Sequence, residues 1–364
     1  MKYVLGIDLG TTGVKSVLVD TEGNIYASTT EEYPLITPKP GWAEQDPELW
    51  WQATVKGIAG LIKKTGVNPS SICGVGLTGQ MHGSVFLDEN FEVLYPAILW
   101  CDQRTAKECD QINEIVGRNN IFEITCNPVL TGFQAPKILW LKNNRPEIFK
   151  KVKKLLLPKD YIRFCLTENF ATDVSDASGT SLFDVKKRNW SFEILDRLEI
   201  PTQWLPNCFE SVEITSTISK KAENLTGIPA GVPVVAGAGD QAAGAIGNGI
   251  TKEKLVSISL GTSGVVFAFS EKPFCDPYGR LHTFCHAVPY KWHLMGVMLS
   301  AGGSFRWFRD TLGAEETAKA QQLGKDPYEL LVSLAEQGPV GCDGLIFLPY
   351  LTGERCPYPD PDAK

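Results

Sequence analysis

Two aspartates stand beside glycine-rich turns, and their setting points to phosphate chemistry. Asp8 falls in the apolar run Tyr3-Val4-Leu5-Gly6-Ile7-Asp8-Leu9, just before the turn Gly10-Thr11-Thr12-Gly13. Such a turn after a strand offers several backbone N–H groups and two hydroxyls with no bulky side chain in the way, which suits phosphate oxygens. It is neither a P-loop nor the dinucleotide fingerprint, because Val14 to Val19 reads as strand and not as helix. Asp8 is placed to anchor a magnesium ion through its waters. Lys15 either neutralises phosphate or is an exposed hairpin lysine. The second aspartate, Asp240, ends the run Val234-Val235-Ala236-Gly237-Ala238-Gly239, where a buried strand of small residues enters a helix. Gly and Ala there let a ligand approach the backbone closely. Asp240 is either a helix cap or the partner of Asp8. Phosphoryl transfer needs one carboxylate for the metal and another to receive the nucleophile's proton.

Two more stretches carry candidate ligand contacts. In Gly76-Leu77-Thr78-Gly79-Gln80-Met81-His82-Gly83 a strand ends with Gln80, Met81 and His82 expected to be exposed in a turn. A histidine between glycines is poorly placed for a core, so His82 is either a ligand contact or structural. In Ile98-Leu99-Trp100-Cys101-Asp102-Gln103-Arg104 an apolar strand ends in Trp, Asp and Arg. An indole face suits the C–H patches of a sugar, and the acid and guanidinium suit its hydroxyls. Asp102 and Arg104 read equally as a capping acid and a surface base. Cys275, His282, Cys285 and His286 lie close in sequence. Zinc asks for tighter pairs, and strand alternation sends neighbours to opposite faces, so no metal site is expected there.

The elements that must hold these residues read as α/β. Tyr3 to Leu9, Val14 to Asp20 and Ile25 to Tyr33 form a meander of strands. Asp46 and Pro47 start a helix that runs through Trp50 and Trp51 towards Lys63. Ser71 to Leu77 is a further buried strand. The segment Val4–Val14 is echoed by Val256-Ser257-Ile258-Ser259-Leu260-Gly261-Thr262-Ser263-Gly264-Val265, again strand, turn, strand. Two such units suggest two related lobes, each presenting a turn to a shared cleft. Gly247 to Lys254 breaks the pattern, which divides the chain into residues 1–248 and 249–364. The second part is expected to hold helices from about Gly302 and after Asp326-Pro327, and to end on a strand at Gly344 to Pro349.

Composition narrows the class. The 364 residues are 43% hydrophobic and 21% charged, which is globular and leaves no room for a disordered tail or a fibre. Thirty-five Lys and Arg against 42 Asp and Glu leave a net charge of −7, so a nucleic-acid partner is not expected. No apolar run reaches the ~18 residues that cross a bilayer, and Asp8 interrupts any secretory signal. The ten scattered cysteines then read as reduced thiols of a cytoplasmic protein.

Taken together, these stretches resemble the sugar kinases of the FGGY family. Gly6 to Lys15, Gly41-Trp42-Ala43-Glu44-Gln45-Asp46-Pro47, Gly79 to Gly83 and Leu99 to Arg104 are similar to its landmarks. So are Ala135-Pro136-Lys137, Leu157 to Tyr161, Asp173 to Gly179, Gly239 to Gly244, Ser259 to Gly264 and Gly353-Glu354-Arg355. The resemblance implies an actin-like, ribonuclease-H-like pair of lobes, the second incomplete as the chain stands, because family members continue with segments that hold the adenosine. It implies D-xylulose as substrate, against Met81, His82, Trp100, Asp240 and Gln241, with Asp240 as general base. ATP would meet Gly10, Thr11, Thr12, Lys15, Gly261, Thr262 and Ser263, with Mg2+ at Asp8. Homodimers are common in the family. L-ribulose is the rival substrate, while Met81-His82 argues against glycerol. The rival outside the family's chemistry is an actin-like ATPase that binds no sugar, or an inactive fragment.

Overall fold

The computed structural model describes residues 1–351, 353, 354, 356–358, 360 and 363. Strand β1 (Tyr3–Leu9) buries Tyr3, Leu5, Ile7 and Leu9 on one face, so the period-2 pattern turns Asp8 outward. It pairs antiparallel with β2 (Gly13–Asp20), which pairs with β3 (Ile25–Glu32). Helix α1 (Pro47–Thr65) packs across β2 and β3. Asp46 caps it by accepting the Glu48 N–H, Pro47 occupies its first position, and Gly66 ends it in the left-handed region at φ 65°. On the other side of β1, β4 (Ile72–Gly79) runs parallel to it.

Helices α2 (Gln134–Asn144) and α3 (Pro158–Thr167) come next in sequence. Beyond β4 the sheet continues through β6 (Pro233–Val235) to β5 (Ile214–Thr217), and the two-residue strand β7 (Ala238–Gly239) also pairs with β4. This mixed sheet, parallel around β4 and antiparallel at both edges, bears out the α/β expectation. Helix α4 (Asp240–Gly247) starts where β7 ends.

By contact the chain forms two compact units. The first is Met1–Leu255 with Ala268–Leu294, and the second is Val256–Phe267 with Met295–Lys364. The segment Ala268–Leu294, which lies after the sequence division at 248, therefore packs with the first unit. That unit holds two apolar clusters, one beneath the main sheet around Leu5, Ile7, Trp50 and Ile58, the other around α2 with Phe183, Trp190 and Leu195.

The second unit contains β8 (Val256–Leu260), the start of β9 (Gly264–Ser270) and helices α5 (Gly302–Thr311), α6 (Ala314–Leu323) and α7 (Pro327–Ala335). Asp326 caps α7 as its sequence implies, accepting from Tyr328 N–H. Two expectations fail. Gly344 to Pro349 is irregular chain after a 3-10 turn at Cys342–Gly344, with Leu345, Ile346, Phe347 and Leu348 exposed. A strand needs a pairing neighbour, and among the described residues this segment has none. Cys126 and Cys275 are joined as a disulfide with Cα atoms 4.7 Å apart, not free as expected; Cys73, Cys109, Cys165, Cys208, Cys285 and Cys342 are free thiols.

Candidate active site

Strand register brings the two aspartates to one end of the sheet. Asp8 on β1 lies opposite Thr78 of β4, and Ala238 on β7 lies opposite the same Thr78 from the other side. Gly239 is level with Gly79, and Asp240 follows as the first residue of α4. A cavity of about 390 Å³ opens here, lined by Asp8, Lys15, Thr78, Gly237, Ala238 and Ala243 among others. Asp8 is exposed to it. Desolvation by the surrounding protein nonetheless raises its carboxyl above the usual value, and Lys15, its cross-strand neighbour, offsets part of that. Burial pushes the Asp240 carboxyl up to about 7. The Gln241 amide, which donates to Asp240 Oδ1 at 2.7 Å, opposes the shift, and the nearby charge of Asp8 adds to it. Two carboxylates close enough to feel each other's charge, one with its value raised to about 7, can divide cation binding and proton acceptance between them.

The first glycine turn is tied to the rest of the site through Thr11. Its hydroxyl accepts the indole N–H of Trp100 at 3.0 Å and donates to Gln80 Oε1 at 3.3 Å, and its carbonyl accepts from Gln45 Nε2 at 2.7 Å. Gln80 Nε2 and the indole of Trp50 both donate to Gln45 Oε1. Gln45 and Gln80 are thus positioning residues; sequence reasoning gave Gln45 no role and expected Gln80 to be exposed. Their signal is a buried amide at the end of an element, since Gln45 and Gln80 are only 1% and 2% exposed. Thr12 and Lys15 remain exposed beside the turn, and Gly10 N–H closes it on Gly13 O at 3.0 Å.

Met81 and His82 are buried, at 4% and 6% exposure, and not displayed in an exposed turn as expected. The chain reverses there with His82 in the left-handed region, φ 68°. The imidazole stacks on Phe133 with ring centroids 4.5 Å apart, and its Nδ1 lies 2.7 Å from Gly179 O. The buried Lys137 ammonium donates to His82 O at 2.8 Å. Glycine is required at two neighbours: a Cβ on Gly179 would collide with the His82 ring, and one on Gly239 would lie 2.9 Å from Met81 Sδ. Met81, His82 and the residue before Asp240 therefore form one packed corner.

Asp102 and Arg104 are paired with each other, and Arg104 is buried, not the surface base that the structural reading expected. Asp102 accepts from Ala43 N–H and from the Arg104 guanidinium, which also meets Glu44 at 2.6 Å and covers the Trp42 ring at 3.6 Å. The Cys275–His286 stretch is likewise committed elsewhere. Cys275 is in the disulfide, His282 Nδ1 lies 3.1 Å from Asn127 Oδ1, Cys285 Sγ faces Val185 O, and His286 Nε2 faces Ile250 O. Among the described residues no group of three His, Cys, Asp or Glu side chains is set to hold a metal.

In the second unit the turn Gly261-Thr262-Ser263 leaves Gly261 and Thr262 exposed. Its carbonyls are taken by the start of α5: Gly302 N–H reaches Gly261 O at 2.9 Å, and Ala301 and Gly303 reach Thr262 O at 2.8 and 3.0 Å. A Cβ on Gly302 would fall 2.6 Å from Gly261 O, so the Gly302-Gly303 pair is what lets the helix start against the turn. The candidate loop Gly353-Glu354-Arg355 is only partly in view, because Thr352 and Arg355 lie outside the described residues.

Residues 3–247 match the profile of the FGGY family of carbohydrate kinases, N-terminal domain, and residues 256–364 that of its C-terminal domain. The chain is 43% identical over 360 residues to the xylulose kinase of Escherichia coli (strain K12), covering 99% of this chain and 71% of that one. A ligand-bound xylulose kinase from Lactobacillus acidophilus superposes with a TM-score of 0.91 at 31% identity, over 100% of this chain and 71% of the other. A gluconate kinase from Lactobacillus acidophilus gives 0.90 at 31% identity, with the same coverage. No described helix is long and apolar enough to cross a membrane.

Proposed function

The chain belongs to the FGGY family of carbohydrate kinases, and on that premise we propose that this sugar kinase transfers the γ-phosphoryl group of ATP to the terminal hydroxyl of D-xylulose. The observation that carries the reading is the strand register that sets Asp8 and Ala238 level with the same Thr78, so that Asp240 follows near enough to feel the charge of Asp8, beside the buried Met81-His82 corner. D-xylulose lies against Met81, His82 and Trp100, with its terminal hydroxyl held by Asp240 and Gln241. Asp240 takes the hydroxyl proton as that oxygen bonds to the γ-phosphorus, and the bond from phosphorus to the bridging oxygen breaks to release ADP. A carboxylate held at about 7 is matched to that proton transfer at neutral pH. The transition state is loose, so positioning and charge neutralisation matter more than basicity.

Gly10, Thr11, Thr12 and Lys15 meet the phosphates, and Gly261, Thr262 and Ser263 are further candidate phosphate contacts. Mg2+ fits the donor set: it needs only one or two carboxylates besides the nucleotide's own oxygens, and Asp8 is an exposed carboxylate in the cavity. When bound, magnesium neutralises charge on the phosphate oxygens; holding it is the role of Asp8.

Calorimetric titration of the chain with D-xylulose, L-ribulose, glycerol and gluconate, without nucleotide, tests the substrate. Saturable binding that favours D-xylulose is the expected result. Preference for gluconate would move the assignment to the second reading, which the equally close gluconate kinase structure favours. No binding by the folded chain would overturn both. Asp240→Asn should lower kcat roughly 10²- to 10⁴-fold with sugar affinity largely kept.

A further inference from the structure

We propose that Ser175 is a positioning residue for Asp240, acting through the backbone of Gly239. This rests on the reading of Asp240 as the general base. Asp240 is weakly anchored by regular structure alone. It follows a strand of two residues, Ala238–Gly239, which itself follows the left-handed Gly237. So short a ladder leaves little local stability to fix a reacting carboxyl. The extra tie comes from Ser175, whose Oγ accepts the Gly239 N–H at 3.0 Å. The same hydroxyl donates to Asp173 Oδ2 at 2.6 Å, so its proton and lone pairs have assigned partners.

Asp173 is in turn immobilised. Its Oδ2 also accepts the Ser175 N–H at 2.8 Å and the Ser211 hydroxyl at 2.8 Å, and its Oδ1 lies 2.9 Å from Lys159 Nζ. Lys159, Asp173 and Ser175 are fully buried, with Asp160 and Asp176 completing the ion cluster around the ammonium. Ser211, which donates to Asp173, lines the cavity, whereas Lys159, Asp173 and Ser175 are not among its lining residues. Gly239 is held on its other side by Met81, whose Sδ occupies the place a Cβ would take. The amide before Asp240 is thus pinned between the Ser175 hydroxyl and a candidate sugar contact, and a charge-assisted chain running back to Lys159 keeps that hydroxyl oriented.

The test compares Ser175→Ala, Ser175→Thr and Ser175→Val in the full chain. Hydrogen exchange across residues 237–247 should speed up at least tenfold in the Ala and Val variants and stay at the wild-type rate in Thr, which keeps the hydroxyl. The Thr and Val pair has nearly one shape, so the comparison survives if Ala does not fold. Turnover gives the second reading: kcat should fall roughly 10- to 100-fold in Ala and Val with sugar KM little changed, recover in Thr, and fall no further when Ser175→Ala is added to Asp240→Asn. Unchanged exchange in folded Ser175→Val overturns the proposal, as does a Ser175→Ala loss that adds in full to the loss in Asp240→Asn. Near-normal kcat in Asp240→Asn alone removes the base assignment instead, while the exchange data still judge the Ser175–Gly239 link.

Discussion

His82 Nδ1 lies 2.7 Å from the carbonyl oxygen of Gly179, and the imidazole fills the space that any side chain at 179 would need. The ring is closed in on its other face by Phe133, so it has no direction in which to retreat without losing a stacked contact. Gly179→Ala should therefore destabilise the fold by about 1–3 kcal/mol through overpacking and weaken sugar binding at the same time. Denaturant unfolding and calorimetry on the same variant check both. A stable variant that binds sugar normally would show that His82 is not held in place by this contact.

The raised Asp240 carboxyl makes a second prediction, about stability and pH. Its folded-state value of about 7 lies above the ordinary 3.8, so between those values the folded chain holds a proton that the unfolded chain has released. Stability then falls as pH rises through that window, and above about 7 the folded state carries an ionised, poorly solvated carboxylate. Asp240→Asn removes the group that ionises. Its melting temperature should exceed the wild type's at pH 8, and the difference should shrink as pH falls, vanishing near pH 4. Thermal melts at pH 4, 6 and 8 decide it. An Asn variant that is less stable at pH 8 would mean that the carboxylate is better compensated than its surroundings indicate.

The contrast between what the sequence displays and what it hides follows from the range of the interactions. The hairpins, the α1 cap at Asp46-Pro47 and the Gly-Thr-Thr-Gly turn rest on neighbours in sequence, so composition and spacing reveal them. The meeting of Asp8 with Asp240 is long-range, and only the glycine-rich turn beside each acid hinted at it. Exposure was misread for Gln80, Met81 and His82, because polar residues in a turn usually face water. Here Gln80 is bonded to Gln45 and Thr11, and His82 to Gly179, partners 35 to 97 residues away that no local pattern displays. Asp102 and Arg104 looked like sugar ligands for the same reason: an acid and a base two residues apart can satisfy each other, and sequence does not say whether they do.

Gly237 is the hinge between β6 and β7. It adopts φ 84°, and a Cβ there would collide with the carbonyl oxygen of Leu77 on β4, which is backbone and has nowhere to move. Gly237→Ala combines left-handed strain with that clash, so it should cost about 1–3 kcal/mol in stability. The displaced chain is the one that leads to Asp240, and turnover should fall by more than the stability loss explains. Measuring kcat at a temperature where the variant is fully folded separates the two effects. Full activity there would show that the β7 register is not what places Asp240.

Lys159 is the remaining test of how the site is held. It is fully buried with its ammonium 2.6 Å from Asp160, 2.9 Å from Asp173 and 3.4 Å from Asp176. Burial opposes its charge, but the three carboxylates outweigh that and hold the ammonium protonated, while burial raises Asp160 and lifts Asp176 well above the ordinary carboxylate range. Lys159→Met keeps most of the side-chain volume and removes the cation that these three carboxylates share. The aspartates are then left buried without a counter-charge, a change that typically costs about 3–5 kcal/mol. The raised values of Asp160 and Asp176 then rise further, so the unfolded chain releases protons that the folded chain retains, and the penalty should be larger at pH 8 than at pH 5. Urea unfolding of Lys159→Met and wild type at both pH values tests this directly. A cost that stays below about 1 kcal/mol, or one that is larger at pH 5, would mean that the carboxylates are neutral without the lysine, and that Asp173 does not need its charge to hold Ser175.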